Sequence, residues 1–174
     1  MCYSRLSFCI SFLLFAITTQ MVGQSSDPIY DPSIKAKLDS LEIKYTISDK
    51  GNFRIVFNMG KERTQLVVVN SAKYEYGGLQ IREITSTAAI TQERSTISRD
   101  TLFLLLEKNQ TYKLGAWQIN GGTSPFVFEF GLRINANSSA AILEEMMMLA
   151  AKVADEMEQS LSGGDKYWFL PILL

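Results

Sequence analysis

Residues 139–161 read SAAILEEMMMLAAKVADEMEQSL, and this pattern predicts a long amphipathic helix against which a sheet can pack. Its apolar residues recur every three or four positions, so on a helix of about 100° per residue they occupy one arc of about 160°. Such a helix is roughly 34 Å long, enough to cross a whole sheet. Asn137 or Ser138 is predicted to cap it, and Gly163-Gly164 to end it. Charged residues fill its opposite side: Glu144, Glu145, Lys152, Asp155 and Glu156.

Met148 is the exception in this helix, because it lies in the middle of the charged side. Isolated exposed apolar residues are common on protein surfaces. Methionine also adapts well to irregular partner surfaces. Met148 is therefore a candidate contact with a partner chain, with simple exposure as the alternative.

Upstream of this helix the apolar pattern changes to period two, which is typical of strands with one buried face. Short turns at Asp49–Asn52 and Gly60–Glu62 separate the alternating runs, so neighbouring strands are expected to be antiparallel. Residues 85–97 are weakly patterned and are predicted as a loop. The predicted strands cover residues 43–47, 53–57, 66–69, 79–84, 116–119 and 126–134.

Two further helices are predicted from their capping residues. Asp31 can cap a first helix that begins at Pro32 and ends near Glu42. Ser98 can cap a second helix over about residues 99–110. The resulting order, α-β-β-β-β-α-β-β-α, predicts an α+β fold. We expect a two-layer sandwich in which an antiparallel sheet carries helices on one face.

The second helix places three leucines, Leu102, Leu105 and Leu106, on one face. Asn109 falls on that same face. A buried amide near a helix end usually satisfies backbone groups, and the alternative is an amide that orients a ligand.

The N-terminus resembles a secretory signal peptide in residues 1–24. Arg5 is its only charge, and residues 6–17 form an apolar core of about 12 residues, too short to span a membrane. Cleavage is expected near Gly23 or Gln24, with an uncleaved anchor as the alternative. The mature protein is therefore expected in the bacterial periplasm or secreted, without a transmembrane span.

The remaining chain has the length of one domain, which can bury a core without disulfides or metal. The predicted parts are a signal peptide at 1–24, a linker at 25–32, one α+β domain at 33–164 and an apolar tail at 165–174.

The chain contains no histidine, and its two cysteines, Cys2 and Cys9, lie in the predicted signal peptide. The mature chain therefore lacks the ligands of a thiolate or imidazole zinc site and the base of a histidine-dependent triad. An oxygen-only metal site stays open, but we expect no metal, no cofactor and no enzymatic activity. The net charge of −1 gives no electrostatic footprint for nucleic acid.

Aromatic residues in or next to the predicted strands are the best candidates for a binding role, although most of them are expected in the core. Tyr74 and Tyr76 share one strand face beside Gly77-Gly78. They can line a groove for an extended peptide or a second subunit, with plain sheet packing as the alternative. Tyr167, Trp168 and Phe169 begin an apolar run that reaches the last residue. That run is expected to fold back onto the domain, with docking on a partner or a disordered or wrongly assigned end as alternatives.

Three stretches resemble the YbjN-like family of bacterial sensory-transduction regulators: Gln65–Glu83, Lys113–Trp117 and Ala154–Glu158. The resemblance covers about residues 34–160. It implies a fold like that of type III secretion chaperones, with three helices against an antiparallel sheet, often in dimers, and no enzyme activity. The better-known members are cytoplasmic, so the predicted signal peptide departs from the family pattern.

The leading functional hypothesis is an exported, non-enzymatic binding or chaperone-like module that forms a homodimer and recognises a protein or peptide through an aromatic-lined sheet surface. The first alternative is a structural envelope component anchored by its C-terminal tail. The second is a glycan-acting enzyme with Glu83 or Glu129 as the acid, which requires two acids in one concave pocket. The candidate partner-binding residues are Tyr74, Tyr76, Met148, Tyr167, Trp168 and Phe169.

Overall fold

Three helices and a seven-stranded antiparallel sheet make up the protein in the computed structural model, which describes residues 28–162. The predicted signal peptide and apolar tail lie outside the described residues. The sheet order is β1-β2-β3-β5-β7-β6, and β4 pairs with β5 alone. The elements are α1 Pro32–Ser40, β1 Thr46–Ile47, β2 Phe53–Gly60, β3 Arg63–Val69, β4 Tyr74–Tyr76, β5 Leu79–Thr91, α2 Arg99–Asn109, β6 Ala116–Asn120, β7 Phe126–Asn135 and α3 Ala140–Ser162.

Helix α3 packs across β5, β3, β7 and β2, so the expected long helix over the sheet is confirmed. Its buried side includes Met147, Ala150 and Ala154, and the two alanines let the helix approach the strands closely. The cap differs from the prediction by one position, because Ser139 Oγ accepts the amide of Ile142. All three helices contribute to one core with the inward strand residues. The α+β fold with helices on one face is therefore confirmed.

The sheet is larger than predicted at two places. Tyr74–Tyr76 form a short strand, and β5 continues to Thr91, so the predicted loop at 85–97 is wrong in its first half. Small polar residues hide this strand in the sequence. Ser86 is buried there because its hydroxyl donates to Leu66 O at 2.8 Å and accepts from Gln65 Nε2 at 3.0 Å.

The predicted apolar face of α2 is only partly buried. Leu105 joins the core, whereas Leu102 and Leu106 are exposed. The cause is that α2 packs mainly on β6, at the edge of the sheet, where little surface is available to cover a wide apolar stripe. Asn109 acts on backbone groups as expected, since its Oδ1 accepts the amide of Trp117 at 2.7 Å.

A buried arginine joins α1 to the sheet. Arg82 is 2% exposed and faces the core, and its Nη2 donates to Asp31 Oδ2 at 2.5 Å. Its Nη1 donates to the carbonyls of Asn70 and Ser71 at 2.6 and 3.0 Å. Lys73 also pairs with Asp31 at 2.9 Å. Because these bonds fix the chain after β3, they also fix the position of Asn70.

A second ion pair joins α3 to the start of β3. Arg63 donates from Nε and Nη2 to Asp155 Oδ1, at 2.9 and 2.7 Å. Asp155 is buried, so its expected place on the charged outer side of the helix is wrong. Burial raises the pKa of the neighbouring Glu158, the positive charge of Arg63 lowers it in part, and the negative charge of Asp155 raises it further.

Candidate functional site

The face of the sheet opposite the helices, which we call the open face, carries a polar pocket. Alternate residues of β5 point to opposite faces, so Arg82, Ile84 and Ser86 enter the core while Glu83 and Thr85 point to the open face. The pocket has a volume of about 470 Å³. Its lining residues are Asn52, Val68, Asn70, Glu83, Thr85, Gln118, Ile119, Asn120 and Glu129.

Glu129 is the most deeply buried carboxylate of this pocket, at 5% exposure. It lies directly opposite Gln118 in the β6–β7 register, and Gln118 Nε2 donates to its Oε1 at 2.7 Å. Burial raises the pKa of Glu129, hydrogen bonds from Gln118 and Asn120 lower it in part, and the charge of Glu83 raises it further. Within residues 28–162, no ion pair joins Glu129 to a cation. The pocket therefore presents a carboxyl group without a positive partner.

Glu83, the second carboxylate of the pocket, is already paired. It lies opposite Arg133 in the β5–β7 register, and Arg133 Nη2 is 3.1 Å from its Oε1. Asn70 Nδ2 lies 3.5 Å from its other oxygen. The buried Arg82 holds the carbonyl of Asn70, so the core-side ion pair also positions this edge of the pocket.

Gly131 gives Gln118 the room to reach Glu129. It lies between Glu129 and Arg133 on the open face of β7, opposite Ala116 on β6. A Cβ atom at Gly131 would lie 3.1 Å from Cδ and Nε2 of Gln118. That distance is tighter than ordinary contact, so a side chain here would push the Gln118 amide away from its present position.

An exposed aromatic hairpin lies on the same face of the sheet as the pocket. Tyr74 and Tyr76 are 53% and 78% exposed and lie opposite Ile81 and Leu79 in the β4–β5 register. Ile81 is two residues before Glu83 and therefore shares its face. We call Tyr74, Tyr76, Leu79 and Ile81 the tyrosine hairpin. Strand β4 pairs only with β5, so its outer edge has no partner strand among the described residues.

The structure places the predicted binding residues in three different settings. Tyr74 and Tyr76 lie together on the open face, as described. Met148 is half-buried on α3, which covers the other face of the sheet, so it does not join them. The predicted tail residues Tyr167, Trp168 and Phe169 lie outside the described residues.

The two acids named from the sequence come together, whereas the aromatic residues of β7 do not join them. Glu83 and Glu129 line the same pocket. Phe126, Phe128 and Phe130 alternate with Glu129 and are buried in the core, so they do not line the open face. The aromatic surface of the sheet therefore consists of the hairpin tyrosines rather than the β7 phenylalanines.

Sequence reasoning missed the amides of the pocket. In β6, Gln118 and Asn120 alternate with Trp117. This alternation indicates that the two amides share one face of the strand, opposite to that of Trp117. Their position beside Glu129 depends on the β6–β7 register, which period-two patterning does not fix. Asn52 and Asn70 lie outside the strands, where no periodicity applies.

Between residues 28 and 162, no group of three acidic, histidine or cysteine side chains is arranged to hold a metal ion. None of the helices in that range combines the length and apolar character needed to cross a membrane.

A comparison of the chain with protein-family models and with curated proteins found no match to either. The function proposed below therefore rests on the geometry of the open face.

Proposed function

We propose that this chain is an exported, non-enzymatic binding module that holds an extended segment of a partner protein on its open face. The proposal is supported by the presence, on one face of the sheet, of a polar pocket with a buried carboxylate and of an exposed aromatic hairpin. Large exposed aromatic residues beside a concave site are typical of interaction surfaces. The free edge of β4 offers backbone groups to an added strand.

The pocket is proposed to receive a lysine or arginine side chain of the partner. Glu129 is desolvated and forms no ion pair with any described residue, whereas Glu83 pairs with Arg133. A bound ammonium or guanidinium group supplies the missing positive charge. The side-chain oxygens of Gln118 and Asn120 offer further acceptors. Because a cation favours the ionised carboxylate, binding is expected to strengthen as the pH rises through the raised pKa of Glu129.

The tyrosine hairpin is proposed to hold an apolar or aromatic residue next to that basic side chain. The exposed faces of Tyr74 and Tyr76 supply apolar area, and their hydroxyl groups stay in water. Side chains two positions apart on an extended peptide point the same way. A basic and an apolar residue at such spacing can therefore occupy the pocket and the hairpin together.

Kinship with the YbjN-like family, a chaperone-like role, a homodimeric state and a periplasmic location are part of this proposal. The kinship is supported by the three similar sequence stretches and by helices against an antiparallel sheet. The location is supported by the signal-like sequence of residues 1–24.

A random peptide library displayed on phage tests the proposal, with the secreted form of the chain as bait. We expect enrichment of peptides with a lysine or arginine two positions from an apolar residue. For an enriched peptide, Glu129→Gln should weaken binding about tenfold, since one charge-assisted contact is worth roughly 1.5 kcal/mol or more. Tyr76→Ser should also weaken it, measured by calorimetry at neutral pH.

Glu75→Gln is the matched control, because Glu75 is an exposed carboxylate on β4 that alternates with the two tyrosines and so points to the other face. The affinity of the Glu75→Gln variant for the enriched peptide should equal that of the unchanged protein. Equal affinity of Glu129→Gln and the unchanged protein, or enrichment of acidic peptides, would contradict the proposal.

A carboxylate-based enzyme that acts on glycans is the second candidate. One observation favours it: Glu83 and Glu129 line one pocket, and Glu129 has a raised pKa, as a general acid requires. Incubation with cell-wall polysaccharide should then release reducing ends, and Glu129→Gln should abolish the release while the fold is kept. Absence of release by the unchanged protein would dismiss this candidate.

A further inference from the structure

Helix α2 carries an apolar surface on its outer side. Leu102, Phe103 and Leu106 are 38%, 55% and 63% exposed. Leu106 lies four positions after Leu102 and three after Phe103, so its side chain neighbours both of theirs on the helix. We call these three residues the α2 patch. Three large apolar side chains grouped on one helix differ from the scattered exposed residues of an ordinary surface.

Helix α2 makes few other contacts, so an element that covered the α2 patch would contribute to the stability of the helix. Leu105 is the only residue of the helix that is fully buried. The helix packs mainly on β6, which is itself an edge strand. An isolated helix of this length is marginal in water, and helices in proteins depend on tertiary packing.

The chain supplies a segment of matching character beyond α3. Residues 167–174 read YWFLPILL, and every one of them is apolar or aromatic. The run is too short to cross a bilayer, which takes roughly 20 residues. Gly163-Gly164 separates it from the helix, and glycine lets the chain change direction there.

The end of α3 lies close enough to α2 for this segment to reach the patch. Near the end of α3, Asp155 and Glu158 pair with Arg63 of β3 at 2.7 and 3.6 Å. Strand β3 and strand β6, on which α2 packs, are three strand spacings apart in the sheet, roughly 14 Å. Tyr112 follows α2 by three residues, and its ring lies 4.9 Å from that of Phe130. A chain of the length of 163–174 spans up to about 40 Å, and α2 is about 16 Å long. The segment can therefore extend along the whole helix.

We propose that residues 167–174 pack on the α2 patch of the same chain. The tether between the two surfaces is short, so the tail is present near the patch at an effective concentration in the millimolar range. A second copy of the protein at micromolar concentration competes poorly with it. Burial of apolar tail residues against Leu102, Phe103 and Leu106 removes the patch from water.

Tryptophan fluorescence tests this contact, because the chain has two tryptophans, Trp117 and Trp168. Trp117 is buried beside Phe130, so Trp117→Phe leaves Trp168 as the reporter. In that background we expect a blue-shifted emission that iodide quenches weakly. Adding Leu106→Glu should shift the emission to the red and increase quenching severalfold. Lys108→Glu is the matched control, since it adds the same residue to α2 outside the patch and should change neither signal.

A second measurement covers the case in which Trp117→Phe disturbs the core. The unchanged protein labelled with 5-fluorotryptophan gives one fluorine resonance for each tryptophan, and Leu106→Glu should move that of Trp168 alone. A water-like environment of Trp168 in the unchanged protein would overturn the proposal, as would insensitivity to Leu106→Glu. A Trp168 signal that changes with protein concentration together with dimer formation would assign the patch to a second copy and also overturn it.

Discussion

A carboxyl group held away from water and away from cations sets the chemistry of the open face. Glu129 owes its burial to the strand neighbours Gln118 and Asn120, which also give it hydrogen bonds. Glu83, on the next strand, shows the opposite arrangement, with a guanidinium 3.1 Å away. The two acids of this pocket thus differ in their ion pairing, because different residues lie next to them.

We expect Glu129→Gln to change how stability depends on pH. The pKa of Glu129 is raised in the folded state, so its contribution to stability is fully present below the ordinary glutamate value of about 4.3. That contribution is lost as the pH rises through the raised value. The variant has no such loss, so it should be more stable than the unchanged protein at pH 8 and not at pH 4. Urea unfolding at both pH values measures the difference.

The same measurement on Glu75→Gln provides the control, since that carboxylate is exposed. If the free energy of unfolding of Glu129→Gln at pH 8 were lower than that of the unchanged protein, the expected stabilisation would be wrong.

Arg82→Met tests the core-side ion pair. Removing one partner of a buried pair typically lowers the free energy of unfolding by about 3–5 kcal/mol, and here it also leaves two carbonyls without their donor. Arg54→Met, at an exposed position of β2, should change the free energy of unfolding little. Urea unfolding at neutral pH compares the two, and similar losses in both variants would refute the structural role of Arg82.

The pairing of Asp31 also predicts an acid sensitivity. Burial acts to raise the pKa of Asp31, but hydrogen bonds from Lys73, Ser33 and Arg82 outweigh it and hold the pKa well below its usual range. The stability from this group is therefore present above the unfolded value of about 3.9 and is lost as the pH falls below it.

Single residues were predictable where their partner is local in sequence. Asp31 was expected to cap α1, and its Oδ1 does accept the amide of Ser33 at 2.8 Å. Its pairing with Arg82, 51 positions away, depends on how β5 lies beside the β3–β4 connection, and local patterns carry no such information. The amide of Asn109, eight residues from Trp117, was again a local case.

The elements were predictable in kind but less so in extent. The long α3, the β2–β3 turn and the β6–β7 hairpin follow from periodicity and turn residues. The second half of β5 did not follow, because its strand character comes from pairing with β7 along Ile81–Thr91 rather than from apolar alternation. The exposure of part of the apolar face of α2 was not predicted, for a related reason. The spacing of apolar residues in a helix shows which side is apolar, but not whether another element covers that side.

At the scale of elements, Glu62→Gly should stabilise the β2–β3 turn. Lys61 and Glu62 both have positive φ, at 51° and 62°, which a two-residue type I′ turn requires. A residue with a side chain in this region costs roughly 1–2 kcal/mol relative to glycine. We expect the free energy of unfolding to rise by about 1 kcal/mol, as measured by urea titration.

The control for this prediction is Glu145→Gly on the exposed side of α3. Glycine inside a helix costs about 1 kcal/mol, so the same substitution should have the opposite sign there. A loss of stability at both positions would show that the turn conformation is not as described.

The α+β class and the placement of all helices on one face were predictable, because strands such as β2 and β3 each show one buried apolar side. The candidate site was predictable only in pieces. Glu83, Glu129, Tyr74 and Tyr76 were named from the sequence, but their common face follows from the strand registers. The signal peptide and the apolar tail stay predictions.

Hydrogen exchange should divide the molecule into a stable centre and less stable borders. The β5–β7 ladder is covered by α3, so its amides are expected to exchange only by global unfolding. The three residues of β4 are exposed and paired on one side, and their amides should exchange much faster. Equal protection of β4 and β7, measured residue by residue by NMR, would contradict this division.

Alternate positions of β5 and β7 serve two separate purposes, since one set fills the core and the other forms the open face. Randomising only Ile81, Glu83, Thr85 and Glu129 would therefore diversify recognition while leaving the hydrophobic interior untouched. The protein is in this sense a ready scaffold, on which new specificities can be selected without redesigning what makes it fold.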